Sequence, residues 1–200
     1  YSAEYRRRAA TAELVGLPPA PIATDFTSTL TNRADVVVAG AAGGRVRSAA
    51  RLGGEAAIAS GIWAAQHDDY PITVKTGHSI ALLELSPAEV PLVSVAVPDV
   101  LIILSTDGLR TAQRWLPVMS PDGVVYTLPE FADVTTAARV EIIDTTTVSL
   151  PLGTPRLALA LLAAVVARLR LFPIEALTAA AGSAPFAEQN LATIETGLTL

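Results

Sequence analysis

Short apolar runs alternate along the chain with longer segments in which apolar residues recur at helical spacing. The run ADVVVAG at residues 34–40 carries no charge after Asp35 and ends in Gly40, which is typical of a buried strand. The next segment, residues 44–61, has the periodicity of an amphipathic helix and ends in Gly61. The pattern therefore predicts a strand, a tight turn and a helix at the start of the regular structure.

The same alternation continues to the end of the chain. Further strands are predicted at IWAAQ, SIALLELS, PDVLIILS, PDGVVYTL and ARVEIIDTT. Further helices are predicted within residues 107–119, where Pro117 stops the helix, and at residues 155–170, 173–182 and 186–200. Thr154 is predicted to cap the second of these helices, with Pro155 at its first position. Because strands alternate with helices, we predict an α/β fold, a three-layer Rossmann-like domain with a mainly parallel sheet.

The segment before the first strand has a different composition. Residues 1–16 are charged, and the following stretch LPPAPIATDF is rich in proline, which favours extended chain over helix. We therefore predict an N-terminal extended arm, or an interdomain linker from a fused preceding domain, over residues 1–33. The α/β domain itself is predicted over residues 34–200.

Composition narrows the functional classes that are compatible with this fold. Of the 200 residues, 51% are hydrophobic and 16% are charged, so the chain can bury a substantial core. The net charge of −5 and the lack of a basic stripe argue against nucleic-acid binding. The longest apolar run, residues 157–167, is too short to span a membrane, and no signal peptide is visible. We expect a cytoplasmic protein.

The content of metal-binding residues is low. The chain has no cysteine, so it cannot hold an iron–sulfur cluster or a zinc ion through thiolates. Its two histidines, His67 and His78, lie eleven positions apart, which is not a metal-binding spacing. No metal site is predicted in this chain, and any electron transfer through a metal must occur in another chain or domain.

The turn after the first strand, GAAGGRV, is the first candidate site. A dinucleotide-binding loop has the pattern G-x-G-x-x-G at this place, with a helix N-terminus that receives the pyrophosphate. Here Gly40, Gly43 and Gly44 allow a close backbone approach, but Ala42 stands where the second glycine belongs. The alternative is a strand-to-helix turn that needs small residues for packing alone.

Three arginines follow this turn at positions 45, 47 and 51. A cation in the first turn of a helix is disfavoured by about 0.3–1 kcal/mol. Arg51 has Glu55 four residues later and is expected to form a surface ion pair. Arg45 and Arg47 have no such neighbour in the sequence. We therefore expect Arg45 to contact an anion or a partner, and the alternative is a solvated side chain.

The polar segment at residues 66–79 is the second candidate site. Loops beyond the strand ends of an α/β sheet are common ligand sites. Asp68 and Asp69 lie about where a dinucleotide fold places its ribose-binding acid. The alternative is an exposed crossover. The predicted contact residues at the end of the segment are Lys75, Thr76, Gly77, His78 and Ser79.

The order of several motifs resembles that of one family over residues 34–200. The stretches are GAAGGRV with RLGGEAA, AQHDDYPITVKTGHS, PDVLIILS, LPVMSPDGVVYT, GTPRLALALLAAVV and NLATIETGLTL. They are similar in position to the motifs of the gamma subunit, or gamma domain, of 2-oxoacid:ferredoxin (acceptor) oxidoreductases. This family contains pyruvate and ketoisovalerate oxidoreductases.

The chain departs from the family pattern at both candidate sites. The family loop is G-x-G-G-Q-G-V, so Ala42 and Arg45 stand at glycine positions and Gly44 at the glutamine. The family run P-E-A-R-G-G corresponds to residues 72–77, where only Lys75 and Gly77 are chemically similar. These departures indicate a divergent branch of the family.

The resemblance implies an accessory subunit of a thiamine-diphosphate-dependent enzyme that oxidatively decarboxylates a 2-oxoacid to an acyl-CoA. It implies alpha, beta and iron–sulfur (delta-like) partner subunits, which hold thiamine diphosphate, magnesium and the clusters, and ferredoxin or another electron acceptor. The glycine turn and residues 75–79 are then contacts for coenzyme A or for a neighbouring subunit. Two other hypotheses remain: an independent NAD-binding domain that uses Asp68 or Asp69, and a purely structural interaction module.

Overall fold

The computed structural model describes residues 23–70, 77–90, 95–148 and 150–200. The predicted contact residues Lys75 and Thr76 lie outside the described residues, as does the arm before residue 23. The strands are β1 Ala34–Ala41, β2 Trp63–Asp69, β3 His78–Ser86, β4 Val100–Ile103, β5 Val124–Thr127 and β6 Arg139–Ile142. The α-helices are α1 Val46–Ala59, α2 Thr106–Ala112, α3 Thr154–Leu169, α4 Ile174–Gly182 and α5 Ala187–Gly197.

The six strands form one sheet in the order β2-β3-β1-β4-β5-β6. Strand β3 runs antiparallel to both of its neighbours, and the other five strands share one direction. The predicted α/β class and mainly parallel sheet are therefore confirmed. The strand order places β3 between β2 and β1, although β2 and β3 follow β1 in the chain.

Helices cover both faces of the sheet, which gives the three predicted layers. Residues of β1 alternate between two hydrophobic clusters: Val36 and Val38 belong to one, Val37 and Ala39 to the other. The larger cluster includes residues of α1, α3, α4 and α5, and the smaller one includes Ala112 of α2. All four β1 residues are fully buried, as expected for a strand covered on both faces.

The start of α3 differs from its prediction by one residue. Gly153, in extended conformation, precedes the helix, and Thr154 is already its first residue. Gly153 provides no side-chain cap, so the predicted cap at Thr154 is wrong. Proline still lies in the first turn, where its missing N–H costs nothing because that group has no partner within the helix. The apolar run that follows is a buried core helix, as predicted.

Helices α3 and α5 approach each other at the contact between Gly197 and Ala160. A Cβ atom at Gly197 would lie 2.3 Å from the carbonyl oxygen of Ala160. The buried side chain of Asn190, at the start of α5, donates to the carbonyl of Pro185 at 3.0 Å. These two residues belong to the closing motif NLATIETG, so packing and local hydrogen bonding explain why it carries asparagine and glycine.

The described part of the predicted arm, residues 23–33, contains no helix or strand and runs along the domain. Its backbone N–H groups at Phe26 and Ser28 donate to the last carbonyls of the α1 region, at Ala59 and Ser60. The Ser28 hydroxyl donates to the carbonyl of Leu171 at 3.0 Å. Through these bonds the arm satisfies carbonyl groups at a helix end, which have no partner within the helix.

Among the described residues, no helix has the length and apolar character needed to cross a membrane.

Candidate functional site

The glycine turn joins the buried end of β1 to the start of α1. Gly43 has a φ of 82°, a left-handed conformation that favours glycine, and the Gly44 N–H donates to the Ala41 carbonyl at 3.0 Å. A Cβ atom at Gly40 would lie 2.8 Å from the side chain of Val46. The turn therefore needs its glycines for conformation and for close packing of helix on strand, whether or not a ligand binds.

Arg45, the residue just before α1, also has a left-handed backbone, with a φ of 57°. This is the position at which the resembled family carries glycine. An L-residue with a Cβ atom loses about 1–2 kcal/mol in this conformation. The Arg45 guanidinium stacks on the ring of Phe186, 5.0 Å from its centroid. The arginine thus occupies a backbone position suited to glycine, and its side chain reaches the start of α5.

The strain at this position gives a testable prediction about stability. We expect Arg45→Gly to unfold with a free energy about 1 kcal/mol higher than that of Arg45→Ala, because glycine adopts a positive φ without a Cβ clash. Both variants lose the stack on Phe186, so their difference isolates the backbone term. Urea unfolding of the two variants measures it. Equal unfolding free energies would show that the turn relaxes when the side chain is removed.

The structure joins the glycine turn to the second candidate segment. In the antiparallel pairing of β1 with β3, Gly40 lies opposite Ser79 and Ala41 opposite His78. The Ala42 N–H donates to the carbonyl of Gly77 at 2.8 Å, and Gly77 has a φ of 94°. The two segments that the sequence marks separately therefore meet at the same end of the sheet.

His78 and Ser79 nevertheless face opposite sides of the sheet, because neighbouring residues of a strand alternate. Ser79 lies on the α1 side, and its hydroxyl has no hydrogen-bond partner among the described residues. His78 lies on the α2 side, where its Nε2 is 3.5 Å from Asp69 Oδ1, too far for a hydrogen bond. Arg114 approaches the other oxygen of Asp69 at 3.8 Å. A single ligand on the α1 side can contact Ser79 but not His78.

Arg47 and Asp68 are partners in this structure. Arg47 Nε donates to Asp68 Oδ2 at 2.9 Å, and Gln66 Nε2 donates to the other carboxylate oxygen at 2.7 Å. The Arg47 guanidinium also lies 4.6 Å from the ring centroid of Tyr70. The hydrogen bond to Asp68 raises the pKa of Arg47 above its ordinary value. This carboxylate offsets the charge of Arg47 near the start of α1.

The same ion pair bears on the dinucleotide hypothesis. Asp68 stands at the end of β2, and β3 separates that strand from β1. In a dinucleotide-binding fold the strand that carries the ribose-binding acid neighbours the first strand. Asp68 is also engaged by Arg47 and Gln66, and Asp69 faces the opposite side of the sheet. The geometry therefore disfavours ribose recognition by either aspartate.

A cleft opens beside the glycine turn on the α1 side, and we call it the loop cleft. Its volume is about 670 Å³, within the range of about 300–1,000 Å³ that is usual for small-molecule sites. It is lined by Gly43, Arg45, Val46, Arg47, Ser48, Arg51, Gln66, Asp68 and Ser79. Among the described residues, this lining has three guanidinium groups, two hydroxyls and one carboxylate, which pairs with Arg47. The excess of positive charge makes the cleft suited to an anionic group.

The structure adds two residues to this charged region that the sequence pattern does not indicate. Arg156, in the first turn of α3, and Phe186, just before α5, line the surface next to Arg45. The motif GTPR marks the start of a helix, but nothing local indicates that this helix begins beside α1. Over the parts of the chain that the structure describes, no cluster of three or more metal-ligating side chains occurs.

A three-layer α/β domain with a tight glycine turn after the first strand and a cationic cleft beside that turn defines a Rossmann-like domain. A sequence profile described as pyruvate ferredoxin/flavodoxin oxidoreductase matches residues 35–200. The chain belongs to this family, which confirms the resemblance found in its motifs. No curated protein sequence matches it significantly.

Solved structures with the same fold include gamma subunits of this class. The chain is similar to the gamma subunit of a keto/oxoacid ferredoxin oxidoreductase from Geobacter sulfurreducens, with a TM-score of 0.64 and 20% identity over 83% of this chain and 96% of that one. A pyruvate oxidoreductase subunit from Thermotoga maritima gives 0.62 and 19% over 84% and 94%. A 2-oxoglutarate:ferredoxin oxidoreductase from Magnetococcus marinus gives 0.66 and 12% over 85% of this chain but 31% of that one.

Proposed function

We propose that this chain is the accessory, gamma-type subunit or domain of a thiamine-diphosphate-dependent 2-oxoacid:acceptor oxidoreductase. The complex decarboxylates a 2-oxoacid oxidatively, forms an acyl-CoA and passes electrons to ferredoxin or another acceptor in the cytoplasm. The observation that carries this proposal is the family match, which extends over residues 35–200 and therefore over the whole α/β domain. The fold shared with gamma subunits supports it.

The catalytic cofactors belong to other subunits in this proposal. Without cysteine, the chain supplies no thiolate to an iron–sulfur cluster. Thiamine diphosphate and magnesium are held by the alpha and beta subunits, and the clusters by a delta-like subunit. The gamma-type chain contributes no catalytic residue and forms a wall beside the catalytic subunits.

Coenzyme A is the cofactor that fits the residues of this chain. Its thiol accepts the acyl group when it is bound, and its phosphates need cationic and hydroxyl donors. The loop cleft provides such donors in Arg45 and Ser79. Among the described residues, the Arg45 guanidinium stacks on Phe186 and forms no ion pair, and the Ser79 hydroxyl has no hydrogen-bond partner. The backbone around these donors is shaped by Gly40, Gly43, Gly44 and Gly77. We therefore propose that the coenzyme A phosphates bind on this side of the sheet.

Purification of the native complex tests the proposed function. We expect the tagged chain to bring down the catalytic and iron–sulfur subunits in fixed ratio. The purified complex should reduce an electron acceptor only when a 2-oxoacid and coenzyme A are both present. The isolated chain should show no such activity. A lone monomer that binds NAD tightly would contradict the proposal, and a complex without redox activity would favour the structural-module hypothesis.

The coenzyme A contact has its own prediction. We expect Arg45→Ala, measured in the assembled complex, to raise the KM for coenzyme A about 10- to 150-fold, because a charge-assisted hydrogen bond contributes about 1.5–3 kcal/mol. The KM for the 2-oxoacid should stay unchanged. Ser79→Ala should have a smaller effect in the same direction. Arg110→Ala, on the exposed face of α2, is the matched control. An unchanged KM for coenzyme A in Arg45→Ala would remove coenzyme A from this cleft.

A further inference from the structure

A second concave surface adjoins the loop cleft and shares Arg45, Ser48 and Arg51 with it, and we call it the arginine groove. It lies between the starts of α1, α3 and α5 and has a volume of about 230 Å³. Arg45, Arg51 and Arg156 line it together with Phe186 and neighbouring small and polar residues. The proposed cofactor contacts use Arg45 on the shared edge, and they assign no role to Arg156 or Phe186.

The charge of the groove is unbalanced. No aspartate or glutamate among the described residues lines it, although the chain as a whole has a net charge of −5. Arg51 pairs with Glu55 at the exposed rim. Arg45 and Arg156 form no ion pair with any residue that the structure describes. Since α1 and α3 also begin without an acidic residue in the first turn, the positive ends of two helices add to the same field.

Phe186 supplies an apolar element at the edge of this positive surface. Its side chain is 62% exposed, which is the highest value among the large hydrophobic residues of the described chain. It has a left-handed φ of 65° and stacks against Arg45. Exposed aromatic side chains paired with arginine are enriched in the cores of protein–protein interfaces, where they contribute most of the binding free energy.

The size of the groove favours side chains over a complete cofactor. Its volume is smaller than the range of about 300–1,000 Å³ that is usual for small-molecule sites, whereas the loop cleft falls within that range. One or two carboxylate side chains would fill it and would face Arg156. The requirement for charge complementarity across an interface therefore points to an acidic protein segment.

We propose that the arginine groove docks an acidic segment of a partner subunit of the complex. In this arrangement an aspartate or glutamate of the partner faces Arg156, and an apolar side chain next to it covers Phe186, while Arg45 on the shared edge stays with the loop cleft. The inference rests on the proposed function, because the partner is one of the subunits with which the chain assembles. It adds to the proposed function the surface through which the chain binds that subunit and the chemistry by which this surface recognises it.

Charge reversal at Arg156 tests the inference. The binding partner is the subunit isolated with the wild-type chain, and its affinity is measured for wild type, Arg156→Glu and Phe186→Ala. We expect Arg156→Glu to weaken binding about 10- to 100-fold and Phe186→Ala about tenfold. Raising the salt from about 50 mM to about 500 mM should weaken the binding of the wild type more than that of Arg156→Glu. Salt screens the charge pair at Arg156, and the variant has already lost this pair.

Two controls separate the possible results. Arg110→Glu makes the same change in net charge on α2, across the sheet, and should bind the partner like wild type. Arg156→Glu should fold normally, since an acidic residue in the first turn of α3 interacts favourably with the helix dipole. Equal partner affinity of wild type and Arg156→Glu would overturn the inference while the proposed function stands. If Arg156→Glu lost coenzyme A binding while its affinity for the partner stayed unchanged, the groove would be a small-ligand site and the inference would be wrong. A wild-type chain that binds no subunit would contradict the proposed function itself.

Discussion

The Gly197→Ala variant is expected to unfold with a free energy about 3 kcal/mol lower than that of the wild type. The added Cβ atom would lie 2.3 Å from the carbonyl oxygen of Ala160 and 2.9 Å from its carbonyl carbon. Both are backbone atoms of α3, so no side-chain rotation relieves the clash. Overpacking of a core costs about 1–3 kcal/mol, and a clash between two helix backbones falls at the upper end. Separation of α5 from α3 is the only relief.

Gly182→Ala is the matched control for this prediction. Gly182 is the last residue of α4, and a Cβ atom there would meet nothing within 4 Å. We expect this variant to equal the wild type or to gain up to about 1 kcal/mol, because alanine restricts the unfolded chain. Thermal unfolding should show a Tm about 6–12 °C lower for Gly197→Ala. If Gly197→Ala lost less than about 1 kcal/mol of unfolding free energy, the two helices would separate easily. Close packing would then not explain why residue 197 is glycine.

The second large effect is expected at Arg33, at the end of the predicted arm. Its guanidinium forms two hydrogen bonds with Asp35, at 2.8 and 2.9 Å, and its third nitrogen is 3.0 Å from Glu84 Oε1. The side chain of Glu84 is 2% exposed, and its Oε2 has no hydrogen-bond partner in the described part of the chain. Arg33→Met would leave a buried carboxylate without its counter-charge. Removal of one partner of a buried pair costs about 3–5 kcal/mol, and since the arginine is 44% exposed we expect about 2–3 kcal/mol.

A double variant and an exposed pair give the controls. Arg33→Met combined with Glu84→Met should recover part of the loss, because the uncompensated buried charge is then removed. Arg51→Met breaks the exposed pair with Glu55 and should cost less than about 0.5 kcal/mol. Urea unfolding of the four proteins measures these differences. Equal losses in Arg33→Met and Arg51→Met would show that water reaches Glu84 freely.

Most predicted elements agree with the structure because their signals are local. Two bounds were wrong: the helix predicted up to Pro117 ends at Ala112, and β2 continues to Asp69 within the predicted loop. A run of β-branched residues without charge indicates a strand covered on both faces, and β1 has this environment. The proline in the first turn of α3 marks its start to within one residue. The order of such motifs also identifies the family, which the profile match over residues 35–200 confirms. The boundary of the arm at residue 33 stays a prediction.

The candidate site was predictable only in part. The sequence singles out the glycine turn and Ser79, and the structure places them together. It also groups His78 with Ser79, whereas strand alternation separates them onto opposite faces of the sheet. The partner of Arg47 is Asp68, twenty-one residues away, and the pair forms because β2 brings Asp68 beneath α1. Pairs of this kind have no sequence spacing that would reveal them.

The sequence by itself determined the α/β class, the order of strands and helices, the lack of thiolate ligands and the family. Each of these follows from local periodicity, composition or motif order. Only the tertiary structure decided that β3 inserts between β2 and β1, that Arg45 adopts a glycine conformation, and that Arg45, Arg156 and Phe186 meet in one groove. The physical reason is that strand pairing and helix packing bring together segments more than a hundred residues apart, as Arg45 and Phe186 show. The burial of apolar surface that drives this packing is not directional, so the local sequence does not specify which segments meet.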